Sequence, residues 1–256
     1  MRLWGRCCVA ERVVAIVQAR VGSTRLPAKV LQEIGGEPML VRVMERARRA
    51  SRVDEVAIAT TRHPRDDVIE ELSAQRGWPF TRGSEEDVLD RYHEAALTHR
   101  AEIVVRITSD CPLLDPAVVD LVVEERSRGE GADYVSNTLK PRTFPRGLDA
   151  EAFTVDALDV AWREDHEPAS REHVTPYLYR HPERFVLRRV TTDLDRSWMR
   201  WTVDTPEDLE VVRLIYSEAG PNASWHEMAG AMEVHPEWVA INQHVEQRDV
   251  PHPHPG

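Results

Sequence analysis

The residues best equipped for chemistry are crowded into one turn. Gln18-Ala19-Arg20-Val21-Gly22-Ser23-Thr24-Arg25-Leu26-Pro27-Ala28-Lys29 carries three cationic side chains, two hydroxyls and a glycine, directly after the apolar run Val13 to Val17. Fixed positive charge, hydroxyls and backbone amides together make a cradle for phosphate oxygens. GxxxxGK[ST] and GxGxxG are both missing, so this is neither a Walker loop nor a dinucleotide fingerprint. A solvated basic loop is the plain alternative. Lys29 weighs against it: of 33 basic residues only Lys29 and Lys140 are lysine, and an ammonium is a compact point charge where guanidinium is a planar fork.

Two aspartates join the turn as candidates. Asp110 follows the apolar run Ile103 to Ile107, and Asp204 follows Trp201-Thr202-Val203. A carboxylate at the carboxyl end of a strand, beside a phosphate cradle, suits Mg²⁺, a hard cation that prefers oxygen. Taken singly, each reads equally well as a turn or helix-cap aspartate. Asp115, before Pro116, reads as such a cap, and Glu207 and Asp208 read as first-turn acids that complement a helix dipole.

Positioning these groups requires an alternation of strands and helices. Val13 to Val17, Val56 to Ala59 and Ile103 to Ile107 read as strands buried on both faces. Helices are expected from Pro38 onward, over Asp66 to Arg76, Glu85 to His99 and Pro116 to Arg128, and again from Pro206. This order implies an α/β fold whose mostly parallel sheet binds ligands beyond the carboxyl ends of its strands. Asn137 to Asp149, with Pro141, Pro145 and Gly147, reads as a long loop of the kind usually kept for function. Phe185 to Val190 and Trp198 to Val203 are expected as further strands.

Composition excludes some classes. The 256 residues are 41% hydrophobic, enough for a sizeable core. A net charge of -11 argues against a nucleic-acid coat, which needs a basic face to release counterions. Cys7, Cys8 and Cys111 form no metal or disulfide spacing and predict a reducing cytoplasm. The first twelve residues, with Arg2, Arg6, Glu11 and Arg12, contain no apolar run for a signal peptide or membrane span and are expected to form a loose leader. Residues 247–256, ending in alternating Pro and His, are expected as a disordered tail.

Several motifs in order support a resemblance. Gln18 to Lys29 closely resembles the A-R-x-x-S-T-R-L-P-x-K signature of the cytidylyltransferases that make CMP-activated acid sugars. Ile34-Gly35-Gly36-Glu37-Pro38-Met39-Leu40 resembles I-x-G-x-P-M-I, Ser109-Asp110-Cys111-Pro112-Leu113 resembles G-D-x-P-L/I, and Val203-Asp204-Thr205-Pro206-Glu207-Asp208-Leu209 resembles V-D-T/Y-P-E-D-L. Gly83 to Tyr92 and Arg171 to Tyr177 are most similar to the spore-coat-polysaccharide branch. The H-x-S-G-T form of other branches is missing, Ser109 replaces a common glycine, and Trp201 stands where a smaller aliphatic residue is frequent.

The resemblance implies a Rossmann-like nucleotidyltransferase fold in one domain, residues 13–246, with a smaller acceptor and dimerisation lobe at about 138–195. It implies a Mg²⁺-dependent transfer of CMP from CTP to a hydroxyl of an acid sugar or similar acid, with release of pyrophosphate. Ala19, Arg20, Gly22, Ser23, Arg25 and Lys29 would bind the nucleotide, Arg82 and Ser84 would lie at the base, and Asp110 and Asp204 would hold the metal. Arg20, Lys29, Asp110 and Asp204 form the expected catalytic set. Arg146, Arg171, Glu172 and His173 are candidates for the acceptor, with His173 either a base or structural. Cys111 reads as a packing residue. A homodimer is expected, and no nucleic-acid or membrane partner. Two readings compete: an enzyme that consumes a nucleotide sugar, against which stands the lack of a D-x-D triplet at Asp110, and a non-catalytic nucleotide-binding protein that has kept the fold.

Overall fold

The computed structural model describes residues 11–247. Residues 1–10 of the expected leader, with Cys7 and Cys8, and 248–256 of the expected tail lie outside the described residues. At its inner end the leader is tied down: Glu11 pairs with Arg126, and Arg12 with Glu55 at 2.6 Å.

The apolar run Val13 to Val17 becomes β1 (Val13–Gln18), which leads through the basic turn into a short ribbon, β2 (Glu33–Ile34) and β3 (Glu37–Pro38), and then α1 (Met39–Ala47). Next come β4 (Glu55–Thr61), α2 (Asp67–Arg76), β5 (Phe80–Gly83), α3 (Val88–Thr98), β6 (Ile103–Thr108) and α4 (Pro116–Ser127). Then follow β7 (Tyr134–Ser136), β8 (Glu151–Thr154), α5 (Val155–Glu164), α6 (Pro168–His173), α7 (Pro176–Arg180) and β9 (Leu187–Arg189). Three helices follow: α8 (Pro206–Ala219), α9 (Trp225–Val234) and α10 (Glu237–Asn242).

One sheet runs β5-β4-β1-β6-β8-β7-β9. β1 pairs in parallel with both β4 and β6, and only β8 runs against its neighbours. Strand order reverses between β1 and β6, so a crevice opens at their carboxyl ends, where such sheets take ligands. Helices cover both faces. Ala15 and Val17 face the core shared with α1, α4, α8 and α9, while Val14 and Ile16 face α3, α5 and α7. This two-sided burial is why the central strands are continuous apolar runs.

Helix starts follow their caps. Asp87 accepts a hydrogen bond from the Asp90 amide and starts α3 at Val88, three residues later than the sequence reading placed it. Asp115 caps α4 by accepting from the Ala117 amide at 2.7 Å. Thr205 and Asp208 close a reciprocal capping box on α8.

One expected strand is corrected. Trp198 to Val203 is not a strand; it makes a single parallel bridge, Arg146 to Arg200, flanked by bonds from Arg146 N to Met199 O and Trp201 N to Arg146 O. The Val203 amide turns instead to the Asp110 carbonyl at 2.8 Å. Gly147 lets the Arg146 bridge approach Trp201 and Thr202 closely. Its φ is +103°, and a Cβ there would fall 2.6 Å from Thr202 N and Trp201 C. Trp201 is fully buried, and its indole N–H donates to Met232 Sδ at 2.7 Å.

Candidate active site

The crevice between β1 and β6 gathers three residues that are far apart in sequence. The 3₁₀ turn Lys29–Leu31 begins after Ala28, whose left-handed φ of +51° turns the chain. Lys29 Nζ then donates to Asp110 Oδ2 and Asp204 Oδ1, each at 2.9 Å, and to the Val203 carbonyl at 3.1 Å. Arg25 reaches the same Asp204 oxygen at 3.1 Å. All these groups are largely enclosed, with side-chain exposures of 16% for Lys29, 24% for Asp110 and 11% for Asp204.

Their charges sustain one another. Burial works to lower the Lys29 pKa, but the Asp110 and Asp204 carboxylates outweigh it and hold the ammonium protonated. Burial likewise works to raise Asp110, yet the Lys29 ammonium, with hydrogen bonds from Thr108, Lys29 and Cys111, brings it down to about 2. The Cys111 thiol is pushed well up by burial and the neighbouring Asp110 charge, so it stays a neutral packing group.

The same two carboxylates are the groups that could hold a divalent cation alongside substrate phosphates. Asp110 and Asp204 each aim one oxygen at the point where Lys29 Nζ sits, and hard oxygen donors of this kind suit Mg²⁺ or Mn²⁺. Among the described residues, no group of three or more His, Cys, Asp or Glu side chains is placed to hold a metal ion.

The rest of the turn is braced from β4. Asp66, fully buried, accepts the Val21 amide at 2.7 Å and bonds the Thr61 hydroxyl. Ala19 N bonds Ala59 O, and Ser23 Oγ accepts from Leu26 N at 3.4 Å. Gly22 lies against the Arg65 guanidinium, which a Cβ would meet at 2.8 Å. Arg20 is only loosely engaged, 4.0 Å from Glu85 and 3.9 Å from Glu172. Arg82, expected at the base, is turned onto Thr61 O, His63 O, Asp67 and Glu70, where it ties β5 to α2. Ser84 accepts the Asp87 amide at 3.0 Å and helps to start α3.

The acceptor candidates divide into two places. Arg171 is spent on Asp87 and on the carbonyls of Trp162 and Asp165, clamping α6 to the start of α3. Glu172 faces Arg20. Burial and the Arg106 charge lower the His173 pKa, which keeps its imidazole neutral at neutral pH. Beside it, Val174 holds a φ of +70°, a strained position for a β-branched residue. Arg146 lies elsewhere, lining a cavity with Trp198, Arg200, Asn242 and Gln247.

Sequence reasoning missed the groups behind Asp204. Arg200 bonds Asp204 Oδ2 at 3.1 Å and Asp208 Oδ1 at 2.8 Å. Asp208, read as a dipole residue, is fully buried and also accepts the amides of Asp204 and Thr205. The Thr205-to-Asp208 spacing of a capping box is the signal that could have marked Asp208; no such signal marks Arg200.

Residues 14–225 match the family model described as cytidylyltransferase. The chain belongs to that family. Among its relatives is the spore coat polysaccharide biosynthesis protein SpsF of Bacillus subtilis, 30% identical over 235 residues covering 88% of this chain and 95% of SpsF. The 3-deoxy-manno-octulosonate cytidylyltransferase of Anaeromyxobacter dehalogenans is 29% identical over 240 residues, covering 80% of this chain and 98% of that one. A solved cytidylyltransferase from Leptospira borgpetersenii superposes with a TM-score of 0.86 at 32% identity, covering 94% of this chain and all of that one. The expected Rossmann-like nucleotidyltransferase fold is therefore present, and this cytidylyltransferase is a CTP-dependent enzyme that transfers CMP. Among the described residues no helix is long and apolar enough to cross a membrane.

Proposed function

We propose that this cytidylyltransferase moves CMP from CTP to a hydroxyl of an acid sugar or similar acid, with Mg²⁺ as its metal. The observation that carries the reading is Lys29 held between Asp110 and Asp204 in the strand-order crevice, with Arg25 and Arg20 beside it. Arg20, Arg25 and Lys29 bind the triphosphate as fixed cations, with Ala19, Gly22 and Ser23 contributing the turn around it. Asp110 and Asp204 would hold the metal, which supplies charge neutralisation at the α-phosphate. The acceptor oxygen bonds the α-phosphorus in line while the bond to the leaving pyrophosphate breaks. His173, neutral and partly buried, stands as the group that can take the hydroxyl proton. Glu172 lies 3.9 Å from Arg20, so the acceptor candidates Glu172 and His173 stand beside the triphosphate cations.

The lobe at about 138–195 is proposed as the acceptor and dimer lobe. Sedimentation at micromolar concentration reads the oligomer directly, and a monomer there removes this part of the proposal.

Pyrophosphate release is the decisive assay. The full chain is mixed with each of four nucleoside triphosphates, Mg²⁺ and a panel of acid sugars and hydroxy acids. Pyrophosphate from CTP alone, dependent on an acid acceptor, supports the reading. Release of nucleoside mono- or diphosphate from a nucleotide sugar would instead establish a glycosyltransferase, and CTP binding without turnover on any acceptor would establish a binding protein.

A further inference from the structure

We infer that Arg200 and Asn242 are positioning residues for this transferase, fixing the Asp204 carboxylate in the orientation it needs to hold a divalent cation beside CTP. The inference rests on the reading of Asp204 as a metal ligand. It extends the site beyond the part of the chain that matches the family model, which stops at residue 225, since Asn242 closes α10.

The geometry constrains Asp204 at two points. Its backbone amide donates to Asp208 Oδ2 at 3.0 Å, and its Oδ2 accepts from Arg200 at 3.1 Å. Oδ1 alone is left facing the crevice, where Lys29 and Arg25 both meet it. Arg200 is fixed in turn, because its guanidinium also grips both oxygens of Asp208 at 2.8 and 3.1 Å and reaches Gln247 Oε1 at 2.6 Å. Asn242 completes the ring. Its single amide nitrogen donates to Asp208 Oδ1 and to the Arg200 carbonyl, each at 3.0 Å.

Stability alone is a poor reason for such a network. Arg200 has 8% side-chain exposure and Asp208 none, and buried ion pairs are often no more stabilising than apolar residues of the same size. What a fully satisfied network does give is a fixed orientation. The groups behind a metal-binding carboxylate typically affect metal affinity by 10- to 100-fold.

The test measures Mn²⁺ binding to the full chain with CTP present and no acceptor, from the electron paramagnetic resonance signal of free Mn²⁺, corrected for Mn²⁺ held by CTP alone. Asn242→Ala should weaken binding about tenfold, and Arg200→Lys, which keeps the charge but loses the fork, should do the same. Ile241→Ala is the control: it removes α10 packing but leaves the network intact. Unchanged affinity in Asn242→Ala or Arg200→Lys, or an equal loss in Ile241→Ala, overturns the positioning role. Arg200→Lys decides the matter if Asn242→Ala does not fold. Asp204→Asn separates the two readings. If it abolishes binding while Asn242→Ala and Arg200→Lys leave it intact, only the positioning role falls; if it has no effect, the metal assignment falls and this inference with it.

Discussion

Replacing Lys29 by methionine removes the cation between Asp110 and Asp204 and keeps most of its stem. Asp110 titrates at about 2 in the folded protein against an ordinary 3.8; burial works to raise it, and the Lys29 ammonium is the largest influence holding it down. At about 1.4 kcal/mol per pH unit, that depression contributes about 2 kcal/mol of stability. Because the folded value is the lower one, the contribution is fully present above the unfolded value and is lost as pH falls from about 4 toward 2. In Lys29→Met the stabilising pair is gone, and burial acts on Asp110 unopposed by the ammonium, while Asp204 keeps Arg25 and Arg200. Urea unfolding at pH 7 should therefore find the variant less stable by about 2 kcal/mol or more. By pH 2.5 the gap should shrink to a fraction of that. An equal gap at both pH values would refute the reasoning, since it would mean that lost packing, and not the ion pair, sets the cost.

Other outcomes test the remaining parts. Asp110→Ala should cut CMP transfer about a hundredfold or more, close to 3 kcal/mol in the barrier; steady-state pyrophosphate release measures it, and undiminished turnover removes Asp110 from the machinery. Lys29→Arg should lower kcat/KM for CTP at least about tenfold, because a planar fork cannot replace an ammonium set between two carboxylates. Lys140→Arg, at an exposed position in the lobe, should leave kcat/KM within about twofold, and equal effects from the two would show that charge alone matters. Gly147→Ala should destabilise the fold by about 3 kcal/mol through its positive φ and backbone overlap; an unchanged urea midpoint would show that the loop yields freely.

The sequence made some of this legible and hid the rest for physical reasons. β1, β4 and β6 are buried on both faces, so each reads as a continuous apolar run. β7 and β9 have three residues each and β8 has four, too short for a period to register. Trp198 to Val203 has strand composition, but its backbone bonds go to the 143–146 loop and to Asp110 instead of to a ladder. Trp201 is fully buried, with its indole N–H on Met232 Sδ. In the site, Asp110 and Asp204 stood out because each follows a short apolar run, and Lys29 because it is one of two lysines in the chain and closes the basic turn after β1. Arg200 and Asn242 did not, because Arg200 meets Asp204 and Asp208 only through an irregular segment with no period to read, and Asn242 reaches Arg200 and Asp208 across 42 and 34 residues of chain. Arg171 looked like a ligand-binding arginine by type, and only its bonds to Asp87, Trp162 and Asp165 reveal a clamp.

The reversal of β8 has an engineering consequence. Because β7 and β8 are antiparallel neighbours, the segment between them leaves the sheet and re-enters it at one edge, the edge that carries Asp110. Both hinges of that excursion are locked by sheet pairing, and Asn137 staples them together by bonding the Leu148 carbonyl and the Ala150 amide. The excursion is thus closed at its base, while its tip rests on residues 189–201 through Lys140, Thr143 and Arg146. Exchanging its tip for that of a relative, with Gly147 and the backbone contact of Arg146 carried along, should leave the register of both strands unshifted, so such a graft tests the proposed acceptor role of this segment.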